Sequence, residues 1–373
     1  MRVLYDHQIF SYQKYGGISK YFSELYREFS EMNDVEIQLG LKENVNYYLN
    51  ELLKNTDLDI KNTDVDSLAR KYFIYKRNQK RSVKLLTQNN YDILHSTFYD
   101  PYTIQNNNKA HVITVHDMTP ELCREYYKGT LYSYFISRKW IQGKKELIEK
   151  ADRVIAVSEN TKKDMIEFYD VNEEKIEVIH HGCNRLPVPG KRLIDEPYIL
   201  YIGLRDKYKN FKSFAKALNP ILQKEKIKAL CIGGGKFTKS EKFFLSEEGL
   251  ENYFVQMSVD DKGLASAYKN ALCFIFPSRY EGFGMPVLEA FSLECPVILS
   301  NASCFPEIAG DAAVYFDPTD EDSIMNNIKQ TIYDTELQAS LKIKGLERGK
   351  QFTWEKTARQ TLDIYKGILD KNA

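Results

Sequence analysis

Two glutamates eight positions apart, Glu281 and Glu289, bracket a glycine-bearing turn in the segment FIFPSRYEGFGMPVLEAF. An apolar run ends at Phe276, Gly282 and Gly284 follow, and Pro286 stands where a helix is expected to begin. Proline is favoured at the first helical position. Glycine lets backbone approach a ligand closely, and the N–H groups at a helix start attract anions. The run Gly284–Met285–Pro286–Val287 is therefore the expected seat of a diphosphate. Carboxylates are poor phosphate ligands but strong acceptors for hydroxyl groups. A site for a molecule that is part sugar and part phosphate would set backbone on the phosphates and Glu281 and Glu289 on the rings. Glu289, expected in the first helical turn, also suits a helix N-terminus for electrostatic reasons alone.

A second segment, YILYIGLRDKYKNF, reads as a strand, a turn at Gly203 and a helix start, with Arg205 and Lys209 in the turn. A departing nucleoside diphosphate gains negative charge in the transition state, and a fixed cation beside it lowers the barrier. Lys209 is the first choice for that cation. Arg205 is the second, since an exposed surface arginine reads the same way. CIGGGKF ends a further strand, and the cluster from Gly233 to Gly235 leaves room for a base or ribose, or makes a tight turn. It does not fit G-x-G-x-x-G, which counts against a dinucleotide site.

In the first half, KYGGISKYF sets Gly16 and Gly17 ahead of a helix, again a backbone anion site in principle. HVITVHDMTP places His116 and Asp117 at a strand end, where α/β sheets carry reactive groups. Asp117 either holds the imidazole or caps the next segment. His95 and the pair His180–His181 also follow strands and are expected to line a cleft rather than to catalyse.

The segment around Glu281 and Glu289 resembles the signature of retaining glycosyltransferase family 4, and the resemblance runs from SVDDKGLASAYKNALCF through to AAVYFDP. It implies the GT-B fold, two Rossmann-like domains facing an interdomain cleft. It implies Glu289 on the ribose hydroxyls and Glu281 on the transferred sugar. The turn Gly282–Phe283–Gly284 and the residues after it would then hold sugar and diphosphate by backbone. Lys209 falls on the family's lysine, whereas the family's arginine is matched by Leu204, with Arg205 one place late. Gly16 and Gly17 would face the donor phosphates, and His116 would contact the donor sugar. The implied reaction moves a hexose from a GDP- or UDP-linked sugar to a glycan or lipid-linked acceptor with retention, without a metal or other cofactor. The donor-domain text leans toward transferases of bacterial surface polysaccharide, including lipopolysaccharide and mannosyl transfer. A nucleotide-sugar epimerase of the same fold and a non-catalytic nucleotide-sugar-binding protein are the alternatives.

Periodicity supplies the elements that must carry these groups. Expected strands are Arg2–Tyr5, Val35–Leu41, Ile93–His95, His111–Val115, Arg153–Val157 and Ile176–Ile179, alternating with helices at Ile18–Phe29, Asp66–Leu86, Leu131–Ile148 and Glu159–Phe168. Such alternation marks a doubly wound parallel sheet. The polar, proline-bearing stretch CNRLPVPGKRLIDEP then reads as a linker. A second series follows, with strands Tyr198–Ile202, Ala229–Ile232, Cys273–Phe276, Val297–Leu299 and Val314–Phe316. Its helices are expected near Phe211–Leu218, Asp261–Asn270, Pro286–Leu293, Glu321–Tyr333 and Leu337–Lys350. The expected divisions are a first domain over 1–187, a linker over 188–197, a donor domain over 198–352 and a closing helix over 353–373. An apolar stripe along that helix, with the family resemblance, implies that it returns to the first domain.

Length suits this division, for 373 residues exceed the roughly 250–300 that one core usually serves. The charged fraction is 28% and net charge is zero, so any attraction to an anionic surface must be local, and no nucleic-acid partner is expected. One local candidate runs from Arg70 to Lys84, where Arg70, Lys71, Lys76, Arg77, Lys80, Arg81 and Lys84 interleave with Tyr72, Phe73, Ile74 and Tyr75. It suits an anionic membrane, a lipid-pyrophosphate acceptor or simply a solvated helix face. The six cysteines form no C-x-x-C pair and read as reduced thiols. Asp57–Leu58–Asp59 and Asp64–Val65–Asp66 imitate a D-x-D metal motif but follow no apolar strand. From the polar N-terminus and the lack of a long apolar run, the protein is expected in the cytoplasm, or on its membrane face.

Overall fold

The computed structural model describes residues 1–54, 56–65, 67–105, 107–123, 131–183, 186–205 and 207–372. The chain forms two compact units, Met1–Gly182 with Trp354–Ala373, and Cys183–Thr353. The expected boundary at 187 thus falls at 182. Asp66, the last residue of the second D-x-D imitation, lies outside the described residues.

In the first unit the principal strands are β1 (Arg2–Tyr5), β2 (Glu36–Leu39), β5 (Ile93–Ser96), β6 (Ala110–Val115), β7 (Arg153–Ala156) and β8 (Ile176–Val178). A short ribbon, β3 (Glu43–Asn44) and β4 (Lys61–Asn62), lies apart from them and was not expected. The sheet order is β2-β1-β5-β6-β7-β8 with every described pairing parallel. In the second unit β9 (Tyr198–Ile202), β10 (Lys228–Ile232), β11 (Phe254–Met257), β12 (Cys273–Phe276), β13 (Val297–Ser300) and β14 (Val314–Phe316) take the order β11-β10-β9-β12-β13-β14, again parallel. Strands covered on both faces explain the apolar runs read from the sequence. β11 went unread because FVQM is short and only partly buried, and it sits at the sheet edge.

Helices fall where spacing put them, at Gly17–Ser30, Leu68–Gln88, Leu131–Lys150, Phe211–Glu225 and Asp261–Asn270 among others. One unread helix, Lys239–Glu247, carries a signal that was available: Thr238 and Glu241 form a reciprocal capping box. The closing helix, Trp354–Asn372, is built into the first unit. Tyr365 is hydrogen-bonded through its hydroxyl to His95 Nδ1 at 2.6 Å, and Thr357 donates to the His180 carbonyl at 2.8 Å.

The first unit buries an unusual number of imidazoles. Burial holds His7, His95, His111 and His116 down, to about 3. They are therefore neutral in the folded chain, while in the unfolded chain each takes a proton near 6.5. The unfolded state then binds more protons below that value, so stability is full above about pH 6.5 and falls as pH drops from there toward 3. Each such group contributes up to about 1.4 kcal/mol per pH unit in that window. Melting temperature measured from pH 8 to pH 4 is expected to fall steeply below 6.5. A flat profile contradicts the account.

Candidate active site

The order of the second sheet reverses at β9, whose neighbours are β10 and β12. Open α/β sheets bind ligands outside the strand ends at such a reversal. The loops after β9 and β12 meet there. Lys209 Nζ donates to Glu281 Oε1 at 2.5 Å, and both side chains are largely buried. Lys209 also lies over the rings of Tyr208 and Phe276, at 5.0 and 5.6 Å from their centroids. The loops are tied by backbone as well, since the Arg279 amide donates to the Tyr208 carbonyl at 2.8 Å.

Local conformation explains the residue types. Gly203 has φ +120, and Asn210 is left-handed at φ 56 just before the helix from Phe211. Gly284 has φ +93 and caps the helix Met285–Ser292, and an added Cβ would meet the Phe305 ring at 3.2 Å. Glycine is the residue that occupies such positions without strain. Ser303 holds the backbone of Glu281: its Oγ accepts from the Glu281 amide at 3.1 Å and donates to the Glu281 carbonyl. Ser303, which the sequence did not single out, thereby fixes where the Glu281 carboxylate starts.

Three expectations need correction. The helix begins at Met285, so Pro286 is its second residue, not its first. Val287 does not offer its amide outward, because that N–H donates to the Gly284 carbonyl at 2.9 Å. Proline has no N–H, so within Gly284–Val287 the amides left for an anion are those of Gly284 and Met285. Glu289 lies past the first turn, which removes the dipole as its explanation. Its carboxylate accepts from the Tyr268 hydroxyl at 3.2 Å, and that hydroxyl also lies 3.1 Å from the Pro286 carbonyl.

Arg205 is also placed differently from a free phosphate ligand. Its guanidinium is 2% exposed and pairs with Glu241 at 2.7 Å. It further donates to the carbonyls of Gly233 at 2.9 Å and Gly235 at 2.9 Å. A Cβ at Gly234, where φ is +66, would meet Arg205 Nη1 at 2.8 Å. Arg205 thus shapes the Gly233–Gly235 loop.

In the first unit Gly16 precedes the helix Gly17–Ser30. The Ser19 amide donates to Gln13 Oε1 at 3.2 Å, while the amides of Gly17 and Ile18 have no partner among the described residues. His116, at the end of β6, is 7% exposed and packs against the rings of Tyr21 and Phe22. Neither ring nitrogen of His116 has a hydrogen-bond partner among the described residues. Asp117 takes the capping role: its carboxylate accepts from the Thr119 amide at 2.9 Å.

The His116 segment is held from below by groups that no motif announced. The His116 amide donates to the Tyr99 hydroxyl at 3.2 Å, and Lys144 Nζ donates to the Asp117 carbonyl at 2.8 Å. Lys144 pairs with Glu121 at 2.9 Å, with the two side chains 1% and 0% exposed. Tyr169 donates to the same carboxylate at 2.6 Å. In the sequence Lys144 is one charge in GKKELIEK, indistinguishable from its solvated neighbours.

Two parallel sheets of this order have the topology of the GT-B fold, and a lysine, a carboxylate and a glycine turn lie at the reversal of the second. The model for glycosyl transferases group 1 matches residues 189–348, and that for glycosyltransferase family 4 matches residues 15–185. The chain belongs to this family. It is 29% identical over 284 residues to the O-antigen chain mannosyltransferase B of Escherichia coli, covering 72% of each protein. It is 28% identical over 217 residues to the O-antigen chain mannosyltransferase RfbU of Salmonella typhimurium, covering 58% of this chain and 59% of that protein. Against a serotype-specific mannosyltransferase WbdA of Escherichia coli the match is 24% over 288 residues, and it spans 34% of that longer protein. Among solved structures, sucrose-phosphate synthase from Thermosynechococcus elongatus shares the fold with TM-score 0.76 at 19% identity, covering 99% of both chains. Anabaena HepE, solved with UDP and glucose, does so with TM-score 0.73 at 16% identity, covering 98% of this chain and all of that one, 100%.

Lys144→Ala leaves Glu121 as a buried charge without its cation. Such a loss costs about 3–5 kcal/mol of stability. Urea unfolding is expected to show it, whereas an unchanged midpoint contradicts the buried pair.

Proposed function

We propose that the protein transfers a mannosyl or related hexosyl group from a GDP- or UDP-linked donor to a glycan or lipid-linked acceptor, with retention at the anomeric carbon, in the synthesis of a bacterial surface polysaccharide. The observation that carries this reading is the Lys209–Glu281 pair, 2.5 Å apart, at the reversal of the donor-type sheet and beside the turn Gly282–Phe283–Gly284. The mannosyl assignment draws support from the relatives named above.

In this reading the diphosphate lies against the amides of Gly284 and Met285 and the charge of Lys209. Glu281 exchanges part of its bond with Lys209 for hydroxyls of the transferred sugar, and Glu289 accepts from the ribose. Gly203 and Gly233 line the nucleotide side, with Arg205 holding the glycine loop. Gly16 and Gly17, ahead of their helix, keep first-turn amides suited to an anion. The bond from the anomeric carbon to the phosphate oxygen breaks with its electron pair going to the phosphate. The acceptor oxygen forms the new bond on the same face, and its proton passes to the departing phosphate oxygen. Lys209 faces the oxygen whose charge grows, so its contribution is largest in the transition state. A neutral His116 suits hydrogen bonding to a sugar hydroxyl and does not suit a cation's role. The protein's residues supply the charge balance in this route, and no metal enters it.

The basic segment is also part of this reading. On the helix Leu68–Gln88, Tyr72 is 59% and Phe73 70% exposed, with Arg70, Lys76, Arg77 and Lys80 on the solvent side. Each basic residue near an anionic bilayer adds about 1 kcal/mol of attraction. An acceptor carried on lipid would make that surface useful. Among the described residues no helix is long and apolar enough to cross a membrane.

Glu289→Ala is expected to weaken donor binding by about 1–3 kcal/mol, the value of a lost hydrogen bond to a charged group. Calorimetric titration with GDP-mannose and UDP-glucose measures it. Lys209→Ala is expected to lower the rate far more than it changes donor affinity, which initial-rate kinetics resolves. If both variants match the parent under limiting donor, the site is misassigned. Sedimentation with vesicles is expected to show binding to anionic but not neutral lipid. Equal partition removes the membrane role.

A further inference from the structure

The first sheet has a reversal of its own. β1 lies between β2 and β5, so the loops after β1 and β5 part at that point. Asp6 clamps them. Its Oδ1 accepts from the Gln8 amide at 2.7 Å and from Thr97 Oγ1 at 2.8 Å, and its Oδ2 accepts from the Thr97 amide at 2.9 Å. Gln8 in turn spans to the next loop, with Nε2 donating to the Asp100 carbonyl at 3.1 Å and Oε1 accepting from the Asp100 amide at 2.8 Å.

On this rigid frame stands a row of rings. Tyr75 and Tyr12 have centroids 5.1 Å apart, Tyr12 and Phe98 5.4 Å, and Phe98 and Trp140 5.6 Å. They arrive from the helix Leu68–Gln88, the short helix Gln8–Tyr12, the loop after β5 and the helix Leu131–Lys150. All four are half-buried, although large aromatics in a packed core are covered. Polar groups edge the row. The Asp100 carboxylate accepts from the Tyr75 hydroxyl at 3.0 Å and from Lys139 Nζ at 3.3 Å.

The chemistry narrows the occupant. A purely apolar partner has no use for a carboxylate and a lysine at its margin. A phosphate gains nothing from Phe98 and is repelled by Asp100. A pyranose has an apolar C–H face that stacks on aromatic rings and equatorial hydroxyls that donate to carboxylate and accept from lysine. Ligands of such sheets lie at the strand ends beside the reversal, which is where the row stands.

We infer that Tyr12, Tyr75, Phe98 and Trp140 form a stacking platform for the acceptor saccharide, with Asp100 and Lys139 reading its hydroxyls. The inference rests on the glycosyltransferase reading, which requires an acceptor to be bound, and it adds the acceptor's class as a saccharide and the residues that bind it. It also gives Tyr75 of the basic segment a role separate from any lipid contact.

Trp140 is itself a reporter, as the chain has two tryptophans and the other, Trp354, is buried. The full chain is titrated with methyl α-mannopyranoside, methyl α-glucopyranoside, methyl α-galactopyranoside and an α-linked mannotriose, following indole emission. A saturable change with at least one of them is expected. Phe98→Leu is expected to weaken that response about two- to tenfold, the range for one aromatic contact, while Phe98→Tyr keeps it. Should Phe98→Leu fail to fold, Trp140→Leu against Trp140→Phe is read by saturation-transfer NMR on the sugar protons. No saturable response to any of these sugars, a response to inorganic phosphate alone, or equal binding by the leucine variants overturns the platform. The donor titrations above are independent of this test. Failure of the wild type to bind either sugar nucleotide overturns the donor reading, and loss of the pyranoside response with donor binding intact overturns only the platform.

Discussion

The second unit is organised around one ion pair that bridges two strand-end loops. Lys209 and Glu281 come from opposite sides of the reversal at β9, and each would be costly to leave alone in that largely buried setting. Together they draw the loop after β9 against the loop after β12. The left-handed Asn210, the Tyr208–Arg279 backbone bond and the Ser303 clamp on Glu281 keep the pair from wandering. A carboxylate so held keeps its other oxygen available to hydroxyls while its partner's positive charge stays close. In the proposed reaction that single salt bridge would serve both recognition and charge balance.

The same logic recurs in the first unit with different chemistry. There the strand ends are held by neutral or satisfied polar groups. Asp6 accepts four hydrogen bonds from Gln8 and Thr97, and Lys144 with Glu121 underpins the turn after His116. Burial pushes the Asp6 carboxyl up, to about 6, so its bonds act against a real desolvation cost. Polar groups are placed at strand ends because that is where the loops diverge and packing alone cannot define them.

Much of this was legible in the sequence because parallel strands and amphipathic helices write their periods directly into the chain. The glycines at 203 and 284 and the glutamates at 281 and 289 also announced themselves, since their types are tied to local backbone or to chemistry. What stayed hidden depended on distance. Arg205 was ambiguous because its partners, Glu241 and the carbonyls from Gly233 to Gly235, lie a strand away. Val287 was misread because its amide turns back on Gly284, a detail of one helical turn. Lys144, Ser303 and Tyr268 are ordinary letters whose meaning comes only from what the fold sets beside them. The edge strand β11 and the helix from Lys239 show the converse: a weak pattern was passed over in one, and a capping box was available but unread in the other.

The closing helix has one more implication. Its Tyr365 hydroxyl completes the hydrogen bonding of His95 in the middle of the first sheet, although the two residues stand 270 positions apart. During synthesis the ribosome must deliver the whole intervening unit before that buried imidazole meets its partner. The first unit is therefore assembled from two separate stretches of chain, while the second is continuous in sequence.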